Sequence, residues 1–128
     1  MSNSVIFIHP DGTSPSHYAA GRFVQEGPDG RLNWDEMTKA GVYLGHMKDQ
    51  IVGTSNGGAV VHAMGVKPFA GSYGLDEDGD PIASLSSLSP ELGGPDLGVE
   101  PGMTIMEEAI AAGKATAVIN SGFIAEPG

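Results

Sequence analysis

The pentapeptide Gly53–Gly57 (GTSNG) is the segment whose residue types and spacing best suit catalysis. It fits the pattern Gly-x-Ser-x-Gly, which places a nucleophilic serine at the turn into a helix. The small residues after Ser55 favour a helix that starts there, so its hydroxyl would face unpaired backbone N–H groups. Such a position stabilises an anion or an oxyanion. The same residues also fit a serine that only caps the helix.

Two carboxylates follow apolar segments that are typical of strands. Asp11 comes shortly after Val5–Ile8, and Glu126 follows residues 114–121. A carboxylate at the end of a buried strand is well placed to bind a divalent cation, although an Asp-Gly turn more commonly holds only its own backbone. A serine with two acids and no positioned histidine suits metal-activated chemistry better than a Ser-His-Asp triad.

The histidines give no sign of a metal site. No pair has the i, i+4 spacing that puts two ligands on one helix face. We therefore expect packing or surface roles for all four, which are His9, His17, His46 and His62. His62 lies about two turns beyond Ser55, which is too far along the predicted helix to deprotonate the serine hydroxyl.

Asp76, Asp78 and Asp80 alternate like the opening of a calcium-binding loop. An EF-hand needs glycine at its sixth position and a bidentate glutamate at its twelfth, where this sequence has Pro81 and Ser87. We therefore reject an EF-hand and expect a solvated acidic turn. A module that binds divalent ions loosely through these three aspartates is a non-enzymatic hypothesis for the chain.

The elements that must position these residues alternate between strands and helices. Strands are predicted at residues 5–8, 42–47 and 114–121, helices at 16–25, 34–40, 56–64 and 105–112, and a long loop at 71–101. This alternation indicates an α/β fold with a largely parallel sheet, in which functional groups gather past the carboxyl ends of the strands. Because the chain stops soon after its last predicted strand, we expect it to be a fragment.

Composition excludes several classes of protein. The 128 residues include only six Lys and Arg, and a net charge of −10 leaves no basic patch for a nucleic acid. There is no cysteine for disulfides or thiolate sites, and no apolar run approaches the roughly 20 residues of a membrane span. The 20 glycines and nine prolines form no repeat and indicate a loop-rich globular chain.

Five motifs follow one another along the chain. They are Val5–Gly12, Thr54-Ser55 with Gly65-Val66-Lys67 after nine intervening residues, Gly71–Asp76, Thr104–Ala109 with Gly113-Lys114, and Ala125–Pro127. Their order resembles the N-terminal part of the alkaline phosphatase family. The resemblance implies an α/β fold, namely the N-terminal part of a three-layer sandwich with a mostly parallel central sheet, and residues 1–128 would form a single partial domain.

The resemblance also implies roles for individual residues. Ser55 would be the phosphorylated nucleophile and a metal ligand, and Asp11 would bridge a Zn²⁺ and the Mg²⁺. Glu126 would be a magnesium ligand in place of the family's threonine. Thr54 replaces an aspartate that orients a phosphate-gripping arginine, which makes Thr54 a candidate substrate-binding residue. The arginine and the remaining zinc ligands come later in the family, so we expect these 128 residues alone to be inactive.

The first functional hypothesis is therefore metal-dependent hydrolysis of phosphate monoesters through a phosphoserine intermediate. The resemblance further implies a homodimer and a periplasmic or extracellular location, although the start of the chain shows no signal peptide. The alternative is a metal-independent serine esterase of the α/β-hydrolase type with Ser55 in its elbow. Residues 49–52 make a poor elbow strand, and a chelator would separate the two hypotheses.

Overall fold

The computed structural model describes residues 4–37 and 39–125, which fall into two compact units, Met1–Tyr43 and Leu44–Gly128. Regular structure in the described residues is helical. The elements are α1 (Pro15–Glu26), a 3₁₀ helix (Asn33–Glu36), α2 (Ser55–Met64) and α3 (Ile105–Ala111). The longest of these helices falls well short of what a membrane crossing requires. The expectation of a single partial domain stays a prediction.

The predicted α/β fold with a mostly parallel sheet, and with it the three-layer sandwich, is wrong for the described residues. Their one bridge is an isolated antiparallel pair, Leu75 with Pro81. The three predicted strands lie outside any ladder and have no regular structure, and most of their apolar side chains face solvent, although Met47 is buried. Ile6 is 85% exposed and Ile119 is 95% exposed.

The error arises because strand pairing is a nonlocal property. An apolar run indicates that a segment favours burial, but it does not specify the neighbour with which the segment pairs. A parallel strand needs a second strand brought alongside by a crossover connection. No described segment forms a ladder with residues 5–8, 42–47 or 114–121, so these runs are left without regular structure and largely exposed.

Most of the helix predictions are confirmed, because their signals are local. The helices predicted at 16–25, 56–64 and 105–112 are α1, α2 and α3, with ends that differ by a residue or so. The helix predicted at 34–40 is only the short 3₁₀ helix, which Leu32 precedes as cap residue. The predicted helix continued to residue 40, and one residue of that continuation, Thr38, lies outside the described part of the chain.

In the first unit, an ion pair joins α1 to the 3₁₀ helix. Arg22 Nε donates to Asp35 Oδ2 over 2.8 Å, and the terminal nitrogen of the same guanidinium bonds the other carboxylate oxygen. The backbone N–H of Leu32 donates to Asp35 Oδ2 as well, also over 2.8 Å. Beside this pair, the ring of Tyr18 meets Trp34 edge-on.

The second unit has its small core around α2. Met47, Val60, Met64 and Pro68 are buried, so the helix packs on irregular segments before and after it. Gly65 ends α2 with φ +73°, a left-handed conformation that suits glycine, and Leu85 N–H donates to the carbonyl of Met64 over 2.8 Å.

The helix α3 contacts α2 and begins with a reciprocal cap. The backbone N–H and the hydroxyl of Thr104 both donate to Glu107 Oε2 over 2.8 Å, and these bonds lower the pKa of Glu107. Thr104 is therefore the cap residue of α3.

The ion pair makes the first unit sensitive to acid. Hydrogen bonds from Arg22 and then from Leu32 lower the pKa of Asp35 from its ordinary value to about 2. A carboxylate with a lowered pKa in the folded state contributes stability above its unfolded pKa, and that contribution disappears as the pH falls towards the folded pKa. Between about pH 4 and pH 2 we therefore expect Asp35→Asn to unfold with a weaker pH dependence than the wild type, measured by thermal unfolding.

Glu36→Gln is the matched control for this prediction. Glu36 lies 3.5 Å from Arg31, but both side chains are largely exposed, so the control should follow the wild-type pH dependence. An NMR titration in which the Asp35 carboxyl group titrates near pH 4 would contradict the prediction.

Candidate functional site

Ser55 occupies the first position of α2 and is exposed to solvent. Within the described residues its hydroxyl makes no hydrogen bond. The interpretation of Ser55 as a mere helix cap is wrong, because Thr54 is the cap residue. The backbone N–H groups of Ser55 and Asn56 have no acceptor within the helix, since the helix begins at Ser55. The site therefore combines a free hydroxyl with backbone donors at the positive end of the helix.

The hydroxyl group of Thr54 holds the start of α2 in place by accepting one hydrogen bond and donating another. Its Oγ1 accepts from the backbone N–H of Gly57 over 3.2 Å and donates to the carbonyl oxygen of Ala70 over 2.8 Å. The backbone of Thr54 is extended, with φ −107° and ψ 154°, as a capping residue requires. Substrate binding by Thr54 stays a prediction, and in this arrangement its single hydroxyl proton is already donated to Ala70.

Asn56 anchors the other side of Ser55. Its amide nitrogen Nδ2 donates to the carbonyl oxygen of Ala70 over 2.8 Å and to that of Ser72 over 2.7 Å. We call these four residues, Thr54, Asn56, Ala70 and Ser72, the Ala70 anchor. The two neighbours of Ser55 are therefore held by the same oxygen atom, while Ser55 itself remains open.

Met47 packs beneath the glycines on either side of Ser55. It is only 3% exposed. A Cβ atom added to Gly57 would overlap the Met47 sulfur and lie 2.8 Å from Thr54 Oγ1. A Cβ atom added to Gly53 would lie 3.9 Å from Met47 Cε and 2.5 Å from the carbonyl oxygen of Gly45. Both glycines are therefore needed for close packing around the serine.

The segment that carries Ala70 is itself held by the preceding loop. Asp49 Oδ1 accepts from the backbone N–H of Ala70 over 2.8 Å. The backbone N–H of Lys48 donates to the carbonyl oxygen of Pro68 over 3.0 Å. Residues on both sides of α2 in the sequence thus form one frame around its first turn.

The frame carries two lysines as well as the carboxylate of Asp49. Lys67 Nζ lies 2.7 Å from His46 Nε2, within hydrogen-bond distance. Lys48 Nζ lies 5.4 Å from the centre of the Phe69 ring. Among the described residues the ion pairs lie in the first unit, so neither lysine is neutralised by a carboxylate.

The second predicted site residue, Asp11, lies in the first unit. It is exposed and belongs to a turn that Gly12 completes with φ +62°. The hydroxyl of Thr13 donates to the backbone carbonyl of Asp11 over 3.3 Å. Glu126, the third predicted ligand, lies outside the described residues.

The described residues do not assemble a metal site by themselves. In the ranges 4–37 and 39–125, no three His, Asp or Glu side chains come together in a way that could hold an ion. The acidic turn is occupied with its own backbone, since Asp76 Oδ1 accepts from the N–H groups of Asp78 and Asp80 over 3.0 and 2.9 Å. This agrees with the expected solvated turn and gives no support to a loose calcium module.

Sequence reasoning missed Asn56 and Met47. In the Gly-x-Ser-x-Gly pattern the residue after the serine can be of any type. On the sequence alone, Asn56 therefore counted only as part of the predicted helix. The acceptors of Asn56 are the main-chain carbonyl groups of residues 70 and 72. Every residue has such a group, so residue types in the sequence do not indicate these bonds. The contact of Met47 with Gly57 follows from packing that only the structure reveals.

The comparisons with known proteins agree with the order of motifs in the sequence. A family model described as alkaline phosphatase matches residues 2–126. No curated protein and no solved structure is significantly similar to the chain.

Two adjacent glycines of α2 test the packing under Ser55. Alanine is the better helix former by about 1 kcal/mol, so Gly58→Ala, which meets open space, should stabilise the protein by that order. Gly57→Ala should destabilise it by about 1–3 kcal/mol, because the new methyl group overlaps Met47. Urea unfolding of both variants measures the difference, and equal stabilities would show that Met47 does not pack against this turn.

Proposed function

Because the chain belongs to the alkaline phosphatase family, whose members are phosphatase-type hydrolases, we propose that Ser55 is the nucleophile in the hydrolysis of phosphate monoesters. In this reaction the serine hydroxyl loses its proton, Oγ bonds to phosphorus and the alcohol leaves. Water then releases phosphate from the phosphoserine and restores the hydroxyl. The proposal concerns the complete protein that carries these residues.

The observation that carries the proposal is the state of the Ser55 hydroxyl. It is exposed and makes no hydrogen bond in the described part of the chain, while both neighbouring side chains are engaged in the Ala70 anchor. A nucleophile must be held in position through its backbone and left free at its reacting atom. Ser55 meets both conditions.

The electrostatics around α2 favours an anionic substrate. The N–H groups of Ser55 and Asn56 and the helix dipole attract negative charge, and backbone donors of this kind stabilise a phosphoryl group during transfer. Lys48 and Lys67 add positive charge on the surrounding frame, which the Asp49 carboxylate of the same frame partly offsets. These local features oppose the repulsion that a chain of net charge −10 exerts on a phosphate.

We further propose that the reaction depends on divalent cations, as it generally does in this family, with Zn²⁺ and Mg²⁺ as the ions. Asp11 and Glu126 would contribute carboxylate oxygens and Ser55 its Oγ atom. When bound, such cations neutralise phosphate charge and lower the pKa of a hydroxyl group. Homodimerisation, export and substrate binding by Thr54 likewise remain proposals based on the family.

The esterase alternative has less support. A nucleophile elbow places its serine on a strained strand-to-helix turn. In the described residues no non-glycine residue has a positive φ, and the segment before Thr54 is not a strand. Ser55 follows an ordinary extended cap residue, so the specific geometry of the elbow is missing here.

Removing the Ser55 hydroxyl tests the nucleophile. In the complete protein, Ser55→Ala should lower kcat for p-nitrophenyl phosphate by more than about 1,000-fold, the order expected for loss of a covalent nucleophile. Ser16→Ala is the matched control, because Ser16 is likewise an exposed serine in the first turn of a helix, here α1 of the first unit. A Ser55→Ala variant with wild-type turnover would overturn the proposal.

Removing the Asp11 carboxylate tests the metal ligands. Asp11→Asn should retain less divalent metal after dialysis, measured by elemental analysis, because a neutral amide is a weaker ligand for a cation. Asp29→Asn alters the second Asp-Gly turn of the same unit and should leave the metal content unchanged. EDTA should abolish hydrolysis of p-nitrophenyl phosphate, and activity on p-nitrophenyl acetate that survives EDTA would favour the esterase.

A further inference from the structure

We propose that Asn56 is a positioning residue for Ser55, acting through the carbonyl oxygens of Ala70 and Ser72. This inference rests on the proposed function of Ser55 and deepens it. Asn56 is the residue directly after the nucleophile, and its side chain turns away from the open face of the turn to bond a segment 14 to 16 residues further along the chain.

The hydrogen bonds of Asn56 use all the donor capacity of its amide group. One N–H of Nδ2 goes to Ala70 over 2.8 Å and the other to Ser72 over 2.7 Å. Both bonds are partly buried, so water competes for them less than at an exposed site. Two short bonds to two different carbonyls fix the direction of the side chain as well as its distance.

Thr54 completes the arrangement from the other side of the serine. Its hydroxyl donates to the same Ala70 oxygen that accepts from Asn56. The residues before and after Ser55 are therefore both hydrogen-bonded, through their side chains, to the Ala70 carbonyl oxygen. This restricts translation and rotation of the Ser55 backbone. The Ser55 hydroxyl takes no part in this restraint and remains available for reaction.

Ordinary helix capping does not explain Asn56. At the second position of a helix an acidic side chain is favourable, because it lies near the positive end of the dipole. Asn56 instead presents donors, and its targets are two carbonyl acceptors. An aspartate at this position would suit the helix but would face both carbonyl oxygens without a proton to donate. The two explanations therefore predict opposite effects for the same substitution.

The experiment is Asn56→Asp in the complete protein, assayed with p-nitrophenyl phosphate. We expect kcat to fall by about 10- to 100-fold with KM changed less than about twofold, because a displaced nucleophile still allows the substrate to bind. Amide hydrogen exchange at Gly57 and Gly58, whose N–H groups bond Thr54 in the first turn of α2, should become faster in the same variant. Asn33→Asp makes the same chemical change at the start of the 3₁₀ helix and should alter neither quantity.

A second control separates positioning from stability. Val60 is 6% exposed on the same helix and takes no part in the Ala70 anchor, so Val60→Ala should lower the thermal midpoint while leaving kcat near the wild-type value at 25 °C. The inference is overturned if Asn56→Asp retains kcat, or if its kcat falls no further than that of an equally destabilised Val60→Ala.

The failure of this inference can be told from the failure of the proposed function. If the wild type shows no turnover that depends on Ser55, the proposed function is wrong. The hydrogen-exchange comparison then decides the anchoring alone, since faster exchange in Asn56→Asp supports it and unchanged exchange overturns it.

Discussion

The carbonyl oxygen of Ala70 is the atom on which the arrangement around Ser55 depends. It accepts from the side chains of Thr54 and Asn56, and the N–H of Ala70 is in turn held by the carboxylate of Asp49. Leaving a buried polar group without a hydrogen bond costs about 1–3 kcal/mol. Moving any one of these groups away would therefore leave its hydrogen-bond partner unsatisfied. In a unit without a sheet among its described residues, this set of hydrogen bonds provides rigidity that strands supply in other folds.

Close packing reinforces the hydrogen bonds from below. The Met47 side chain fills the space that a side chain at Gly57 would occupy, and it also lies near Gly53. A thioether adapts its shape to an irregular gap, which suits a contact between a loop and the first turn of a helix. The glycine at position 57 is thus explained by the Met47 sulfur, and the glycine at position 53 by the close carbonyl oxygen of Gly45.

The sequence predicted the parts of this structure whose signals are local. The helices predicted at 56–64 and 105–112 are found within a residue of their expected bounds, because Gly65 ends α2 and Thr104 caps α3 through local hydrogen bonds. The strands at 5–8, 42–47 and 114–121 were wrong because pairing depends on a neighbour that an apolar pattern does not name. Asn56 was overlooked for a related reason, since its partners are backbone atoms. The proposed metal-binding roles of Asp11 and Glu126 rest on the resemblance, whereas the proposed role of Ser55 rests also on its exposed hydroxyl.

The use of a main-chain acceptor has an evolutionary consequence. Because the oxygen of residue 70 belongs to the backbone, any side chain can replace the alanine methyl group without removing the acceptor. Proline is the exception, since it lacks the N–H that bonds Asp49. Substitution at position 70 therefore leaves the acceptor in place, whereas substitution at position 54 or 56 removes a donor. In an alignment of relatives, position 70 would look unimportant although the serine is held by it.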